Sequence, residues 1–544
     1  MVKWVERKAE EVIKLFGEER EILVCNGGLS VSGLQHVGRL RGEITYVNAV
    51  VKELSHKGYN VKHTIVLYTV DAWKGKKTQL EQFKDKSEAE TYTGRPLYLV
   101  PDPFGCHDNW VEHYWEDFGN YLQDFVPEIE VVTTLDLYTK NPRMQDFVLK
   151  TLTEKRCQAI KTINKYRKRN PYPSGWIPFQ VICSKCLKVN TTVVEEMDSS
   201  KGFLKYKCNY CGNSGWSDFT RGKLMWRLEW VGVWYALNVA FEPYGKDHAT
   251  PGGSRESCND LARNVYGFTP PVGLAYEWVG YVKERKDYGD MGSSDFIGFT
   301  PKDWLEVAEG EVLKYLYLYS LPLKRITLSL EKVPFYVEEY DRAERIYYGV
   351  EEPENPEERE RISRSYYLAQ LKDPPPTPPF RVPYLHAVAL VQTVPKEKFM
   401  EESLKKLRQT GILSRDLTSR ELKLLKKRFQ NAENWLRKYA PERYRLTLLK
   451  EIDDKIIRRI DPEVIHLLSE LYEKLSGLET WNEENIKEAM ISIKRTRREE
   501  KMFFRALYLL FFGKEYGPRI APYLSYLEPE FVLNRLREVL KKHA

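Results

Sequence analysis

The sequence predicts an α/β domain built on a parallel sheet, interrupted by a metal-binding insertion and followed by an all-α region. Three observations carry this. A strand–turn–helix–strand run opens the chain, two Cys-x-x-Cys hooks lie in its middle, and beyond a proline cluster at Asp373–Pro383 the pattern is amphipathic helix throughout.

The opening strand is "REILVCNGGL" (Arg20–Leu29), apolar and running into a glycine turn. The next segment holds Val37, Leu40, Ile44, Val47, Val51 and Leu54 at helical spacing. "VKHTIVLYTVDAW" (Val61–Trp73) is a second, β-branched strand. Strand–helix–strand implies a parallel pair with a right-handed crossover. In such sheets a nucleotide sits at the carboxyl edge, here the stretch from Ser30 to Gly38. Residues 1–96 are therefore read as the first half of the sheet domain, and 97–225 as an insertion. Residues 226–310 carry the second half, 311–379 a helical junction with a Pro-rich linker, and 380–544 a helical region rich in Lys and Arg. Clustered prolines cannot continue a helix, which is why the boundary falls there.

With 42% apolar residues and 13% aromatics, the 544-residue chain can bury sizeable cores. Its net charge of +7 is too slight to imply a nucleic-acid partner except where cations cluster. The N-terminal segment is charged and helix-patterned rather than a signal peptide. No apolar run reaches the roughly 18 residues of a membrane span, so a cytoplasmic chain with no membrane partner is expected.

Cys183-x-x-Cys186 and Cys208-x-x-Cys211 are 21 residues apart. Two such hooks supply four thiolates to one tetrahedral Zn²⁺, leaving no open position for catalysis. A structural zinc knuckle is expected. Cys25, Cys106, Cys157 and Cys258 are scattered and are read as buried or incidental.

His36-Val37-Gly38 stands where the first strand's turn enters a helix. A helix N-terminus offers unpaired N–H groups and partial positive charge to an anion, and Gly38 lets a ligand approach closely. A second stretch, "YGDMGSSDFIGF" (Tyr288–Phe299), has a small hydroxyl-bearing turn suited to phosphate, yet Asp290 and Asp295 bracket it.

Together these segments resemble a known family. "GLSVSGLQHVGRLRGE" resembles the first nucleotide motif of class I aminoacyl-tRNA synthetases, in the form found in archaeal-type class I lysyl-tRNA synthetases. "LVPDPFGCHDNWVEHY", the four cysteines, "WRLEW", "FEPYGKDHATPGGS", "YGFTPPVGLAYEW" and "PPFRVPYLHAVALVQ" resemble the same family in the same order, from about Arg20 to Gln392. The resemblance implies an α/β class I synthetase Rossmann catalytic domain with a zinc-bearing insertion, then an all-α C-terminal anticodon-binding region. It implies lysine, ATP and tRNA-Lys as substrates, Mg²⁺ with the ATP and structural Zn²⁺. Oligomeric state is not legible; a monomer is the working expectation.

By that resemblance His36, Gly38 and Arg39 face ATP, with Met291, Gly292, Ser293 and Ser294 forming the mobile loop over its phosphates. His36, Gly38, Ser293 and Ser294 are the catalytic candidates. Gly28, Ser30, Trp230, Asp247, His248, Tyr276 and Glu277 are the lysine-binding candidates, with His248 also on the adenine side. The ε-ammonium needs a carboxylate or an aromatic face, and the sequence leaves Asp71, Glu229, Asp247 and Glu277 open. Basic stretches such as "ELKLLKKRFQNAENWLRK" and "ISIKRTRREEKMFFR" suit an RNA backbone, or equally a solvated helix face.

The sequence departs from the family in the second motif. Both lysine positions of the K-M-S-[SG]-S-K form hold Asp, at 290 and 295, Arg39 stands where Asn is common and Gly42 where Glu is. A negative group facing a phosphate costs several kcal/mol at an effective dielectric of about 20. Two readings follow. In one, the chain is a working lysyl-tRNA synthetase whose positive charge comes from elsewhere, with Lys283, Arg285, Lys286 and Arg39 as candidates, or with an Asp holding Mg²⁺. In the other, it is a diverged paralogue that binds tRNA or another carrier without making lysyl-adenylate.

Overall fold

The computed structural model describes residues 3–198 and 202–543. It divides into two compact units. The first comprises the chain up to Leu305 with Glu309–Ser329 and Ala343–Pro374; the second comprises Glu306–Ala308, Leu330–Arg342 and the chain from Pro375. The residues expected to form a junction, 311–379, are thus shared between the two.

Five parallel strands form the first unit's sheet: β1 (Leu23–Leu29), β2 (Val61–Leu67), β3 (Glu130–Thr133), β4 (Val239–Gly245) and β5 (Val272–Tyr276), in the order β5-β4-β1-β2-β3. Strand order reverses at β1, so its carboxyl end and that of β4 flank the switch point where α/β sheets take ligands. Leu23, Val24, Cys25, Ile65 and Val66 are buried, as expected of strands covered on both faces.

The predicted crossover helix is present, but its first turns, Leu40–Tyr46, are wound as a wider i→i+5 helix before Val47–His56 becomes regular α-helix. Gly42 explains how the wide turn is filled. A Cβ there would lie 2.2 Å from the Tyr276 ring, so the missing side chain admits that ring against the helix. The Tyr276 hydroxyl then donates to Glu43 Oε1 at 2.7 Å.

Residues 97–225, read as an insertion, in fact supply β3 to the main sheet; beyond it they contain a three-stranded antiparallel sheet, Thr192–Asp198, Phe203–Cys208 and Ser214–Asp218, and a separate strand pair, Phe179–Val181 with Gly222–Leu224. After β5 come β6 (Val279–Lys283) and β7 (Lys286–Asp290), a hairpin that carries the second motif at its base. β8 (Ile326–Leu328) pairs parallel to β6.

The second unit is helical from Tyr384 onward. Two of its helices open on reciprocal capping boxes, formed by Thr418 with Glu421 and by Thr496 with Glu499. Arg428, one of the sequence's basic candidates, is buried and donates to both Asp341 oxygens at 2.8 and 3.1 Å. That cation is spent inside the unit rather than offered to RNA. Among the described residues no helix is long and apolar enough to cross a membrane.

Candidate active site

The carboxyl ends of β1, β2 and β4 meet at one aromatic wall, which borders the candidate recess. A Cβ at Gly28 would meet the Tyr68 ring at 3.0 Å, so β1 and the residue after β2 are in contact. Tyr68 packs edge-on against Trp226, Trp226 stacks on Trp230 at 5.3 Å, and the His248 ring lies 5.2 Å from Trp230. Gly28, Trp230 and His248 are therefore brought together. Ser30, directly after β1, is half-buried beside them in sequence.

Beneath this wall lies Glu242, which the sequence reading passed over. It is buried in the middle of β4 and accepts from Trp230 Nε1 at 2.6 Å, Trp234 Nε1 at 3.0 Å and Asn26 Nδ2 at 3.0 Å. Thr64 in turn donates to Asn26, fixing its amide. Burial raises the Glu242 carboxyl while these donors and Arg255 pull it down. The buried Tyr68 hydroxyl has no hydrogen-bond partner among the described residues. Burial and then the charges of Glu242, Glu229 and Asp71 push it well above its ordinary range. A signal for both residues was available. A lone carboxylate inside an apolar strand is rarely free, and Tyr68 directly follows a strand that ends at the ligand edge.

The four carboxylates left open by the sequence have separate fates. Asp71 and Glu229 share the buried Lys223, whose Nζ lies 2.6 Å from Glu229 and also pairs with Asp71. Tyr138 donates to Glu229 at 3.1 Å, and burial lifts this carboxyl to about 7. Glu277 pairs with Lys246 at 2.6 Å. Asp247 lies in the short helical turn Lys246–His248 that follows β4. Tyr276 and Glu277 have their polar atoms engaged, the first with Glu43 and the second with Lys246.

The first motif lies alongside. His36 is buried, and its Nδ1 has no partner among the described residues. Burial, reinforced by the Arg39 charge, holds the imidazole well below its ordinary pKa, so it is neutral at physiological pH. Arg39 Nη1 reaches Glu43 at 3.5 Å, and its charge also lowers His248 after burial. Tyr317 donates to the Val37 carbonyl at 2.9 Å, fixing the turn, and Gly38 leaves room where a Cβ would press on the His36 ring at 2.8 Å.

The second motif folds back onto this turn. Met291 N–H donates to Val279 O, and Gly292 and Ile297 exchange backbone hydrogen bonds at 2.9 and 3.1 Å. Val37 N–H donates to Phe299 O at 2.9 Å. A Cβ on Gly33 would meet the Ser293 carbonyl at 2.5 Å, and one on Gly298 would meet His36 Cβ at 2.9 Å. Ser293 is buried with its hydroxyl unpartnered among the described residues, and Thr78 donates to the Ser294 carbonyl at 2.7 Å.

The bracketing acids are both paired. Arg325 Nε donates to Asp290 at 2.7 Å, and Lys76 Nζ to the two Asp295 oxygens at 2.9 and 3.1 Å. Lys283, Arg285 and Lys286, expected to offset these acids, do not. Lys283 and Lys286 close the far end of the β6–β7 hairpin, three residues from the Gly280–Asp290 pair, or about 10 Å along the strand. The offsetting cations come from segments distant in sequence, which single-chain reading cannot align.

The four knuckle cysteines converge. Cys183 and Cys211 sulfurs are 3.6 Å apart, and Cys186 and Cys208 sulfurs 3.7 Å. A tetrahedral zinc with Zn–S near 2.3 Å holds its sulfurs roughly 3.8 Å apart, so the donor set fits a closed structural site. Cys106 stands in a second group of possible metal donors. Its sulfur lies 3.2 Å from His107 Nδ1 and 3.3 Å from His113 Nδ1, and His113 Nδ1 is 3.1 Å from Asp102. These four donors lie within 4.8 Å of one another and would also suit zinc, as a second cross-link. The helix carrying His113 also carries Trp110 and Tyr114, whose rings meet Phe296 of the second motif. The purified protein is expected to carry about two zinc ions, with Cys183→Ser and His113→Ala each losing about one by elemental analysis. Full retention in either variant removes that site.

A parallel sheet with a His-x-Gly turn at its switch point and a serine loop closing on that turn defines a class I synthetase catalytic unit. The family described as "tRNA synthetases class I (K)" matches residues 2–372, and "Anticodon binding domain" matches residues 386–540. The chain belongs to the class I tRNA synthetase family. It is 42% identical over 541 residues to the lysine--tRNA ligase of Aeropyrum pernix, covering 99% of this chain and 98% of that one. It is 32% identical over 545 residues to the lysine--tRNA ligase of Pyrococcus furiosus, covering 99% of each. To that of Methanocaldococcus jannaschii it is 32% identical over 544 residues, covering 98% and 99%.

Proposed function

We propose that this protein joins lysine to tRNA-Lys through lysyl-adenylate, as a working enzyme rather than an inactive relative. The pairing of both loop acids carries this reading. An unpaired carboxylate about 4 Å from a phosphate would cost roughly 4 kcal/mol at an effective dielectric of about 20. Asp290 and Asp295 instead each meet a cation, and the loop closes on the first motif, with Ser293 against Gly33 and Gly298 against His36.

In the first step a lysine carboxylate oxygen attacks the ATP α-phosphorus and pyrophosphate leaves. In the second a hydroxyl of the tRNA's terminal adenosine attacks the activated carbonyl and AMP leaves. No enzyme nucleophile is needed, so the residues position substrates and stabilise charge. His36, Gly38 and Arg39 face the triphosphate with Met291, Gly292, Ser293 and Ser294 over it, and Mg²⁺ accompanies the ATP. Gly28, Ser30, Trp230 and His248 line the lysine end. The unpartnered Tyr68 hydroxyl, in the negative field of Glu242, suits the ε-ammonium.

Pyrophosphate exchange across the twenty amino acids tests this, with lysine alone expected to support it. No exchange with lysine, Mg²⁺ and tRNA all present sinks the reading in favour of a carrier-binding paralogue. The loop has its own test. Asp295→Lys would set two lysines face to face, so exchange is expected to fall about fivefold rather than rise, and the swap with Lys76→Asp to recover it. A gain from Asp295→Lys alone would mean that the loop merely lacks charge.

A further inference from the structure

The stretch Lys74-Gly75-Lys76-Lys77, which follows β2, belongs to neither nucleotide motif, yet it is fixed between them. Before it, the fully buried Trp73 ring packs edge-on against Trp110 at 5.4 Å. Gly75 turns left-handed at φ +63°, where a Cβ would lie 2.1 Å from Thr93 Oγ1. After it, Gln79 donates to the Ser32 carbonyl at 2.8 Å and Thr78 to the Ser294 carbonyl at 2.7 Å. The stretch thus clasps the turn leading to the first motif to the serine turn of the second.

The two loop acids are held by cations of different kinds. Arg325 is spent on structure. Besides Asp290 it meets Asp287 at 3.6 Å and Thr327 Oγ1 at 3.3 Å, and it is wedged on β6 where a Cβ of Gly280 would lie 2.4 Å from its Nη2. Lys76 meets Asp295 alone among the described residues, and its ammonium carries a third donor beyond the two that Asp295 accepts. Lys74 is exposed and makes no hydrogen bond or ion pair among the described residues, and Lys77 stands 4.0 Å from Glu81. An exposed ion pair contributes little to stability, so folding does not explain Asp295. Charge does. Taken with Asp295, the three lysines leave two net positive charges beside the serine turn, as many as the two lysines of the family's loop carry.

We propose that this lysine turn takes the place of the loop lysines: Lys76, held by Asp295, and Lys74 beside it meet the β- and γ-phosphate oxygens of ATP and of the departing pyrophosphate. As the amino acid's carboxylate oxygen bonds to the α-phosphorus, the bond to the bridging oxygen breaks and its electron pair stays on pyrophosphate. Neither lysine moves a proton. Each offsets the charge that gathers on the leaving group. Asp295 is a positioning residue, which ties the lysine turn to the loop so that the cation arrives when the loop closes. This rests on the reading that the chain activates an amino acid with ATP, and it assigns the cations of that step to a segment outside both motifs.

The test measures lysine-dependent pyrophosphate exchange in the full chain. Lys76→Ala is expected to lower kcat about tenfold to a hundredfold with the KM for lysine unchanged. That is less than the loss of a buried donor, because the Lys76 side chain is 39% exposed. Lys74→Ala should lower kcat about tenfold. The deciding variants differ only at position 295. Lys76→Ala with Asp295→Asn, which removes both charges, should stay as slow as Lys76→Ala alone. Lys76→Ala with Asp295→Lys, which returns a lysine to the loop, should come within about threefold of wild type. Exchange at the wild-type rate in the charge-free pair would overturn the proposal, since Lys76 then only neutralises Asp295. Calorimetry with inorganic pyrophosphate and Mg²⁺ gives a readout independent of turnover. Its Kd should rise about tenfold in the charge-free pair, and an unchanged Kd would also overturn the proposal. A wild type without exchange whose pyrophosphate affinity still falls in that variant would remove the catalytic reading and leave the phosphate site standing.

Discussion

Lys223→Ala is expected to destabilise the catalytic unit by about 3–5 kcal/mol, among the largest effects of any single change outside the metal ligands. Lys223 is buried and its ammonium is shared by Asp71 and Glu229. Removing it strands Glu229, which is itself fully buried, beside a second carboxylate. The thermal midpoint should drop on the order of 10 °C. Two controls separate charge from lost packing. Adding Glu229→Gln should recover more than half of the loss, because the remaining Asp71 is 29% exposed and can be hydrated. Acid should also help. A carboxyl whose folded pKa is raised above its unfolded value favours folding below the unfolded pKa and loses that advantage as pH rises through the folded one. Glu229 is already lifted to about 7 by burial with its cation present. The variant's deficit should therefore shrink between pH 8 and pH 5. A deficit equal at both would mean that the cavity, not the charge, is responsible.

His36→Ala is expected to slow lysine-dependent pyrophosphate exchange by about 10²–10³, the cost of losing one aimed donor to developing charge. The ring is buried, neutral and unpartnered at Nδ1, at a turn whose backbone is tied to the second motif. Such a group costs stability to keep and is explained by a ligand it meets only during reaction. Its removal should leave the melting curve within about 1–2 kcal/mol of wild type, since one imidazole nitrogen is already unsatisfied. Because the imidazole stays neutral well below pH 6.5, its titration should not shape the rate between pH 6 and 8. An exchange rate equal to wild type would remove His36 from the site.

How much of this was legible in one dimension depends on what each feature requires. The βαβ unit, the His-x-Gly turn and the two cysteine hooks rest on contacts between residues near in sequence, and each leaves a local signature. The second metal group nearly does, since Asp102, Cys106, His107 and His113 lie within one turn and one helix start. Its mixed donors follow no familiar hook, and the spacing alone reads as chance. Glu242 and Tyr68 left only a weak signal, a carboxylate inside an apolar strand and a tyrosine at a strand's carboxyl end, because neither position says which partners the fold will bring to it.

By itself the sequence determined the parallel α/β unit, the knuckle and the order of the family-like segments, because periodicity, turn chemistry and metal spacing act over a few residues. Only the tertiary structure decided where the positive charge stands. Lys283 and its neighbours are closest in sequence to the loop acids, but a tight turn points that hairpin end away. Lys76 and Arg325 are 219 and 35 residues from the acids they meet. Coulomb attraction depends on distance through space, and chain order carries no record of it until the sheet has folded.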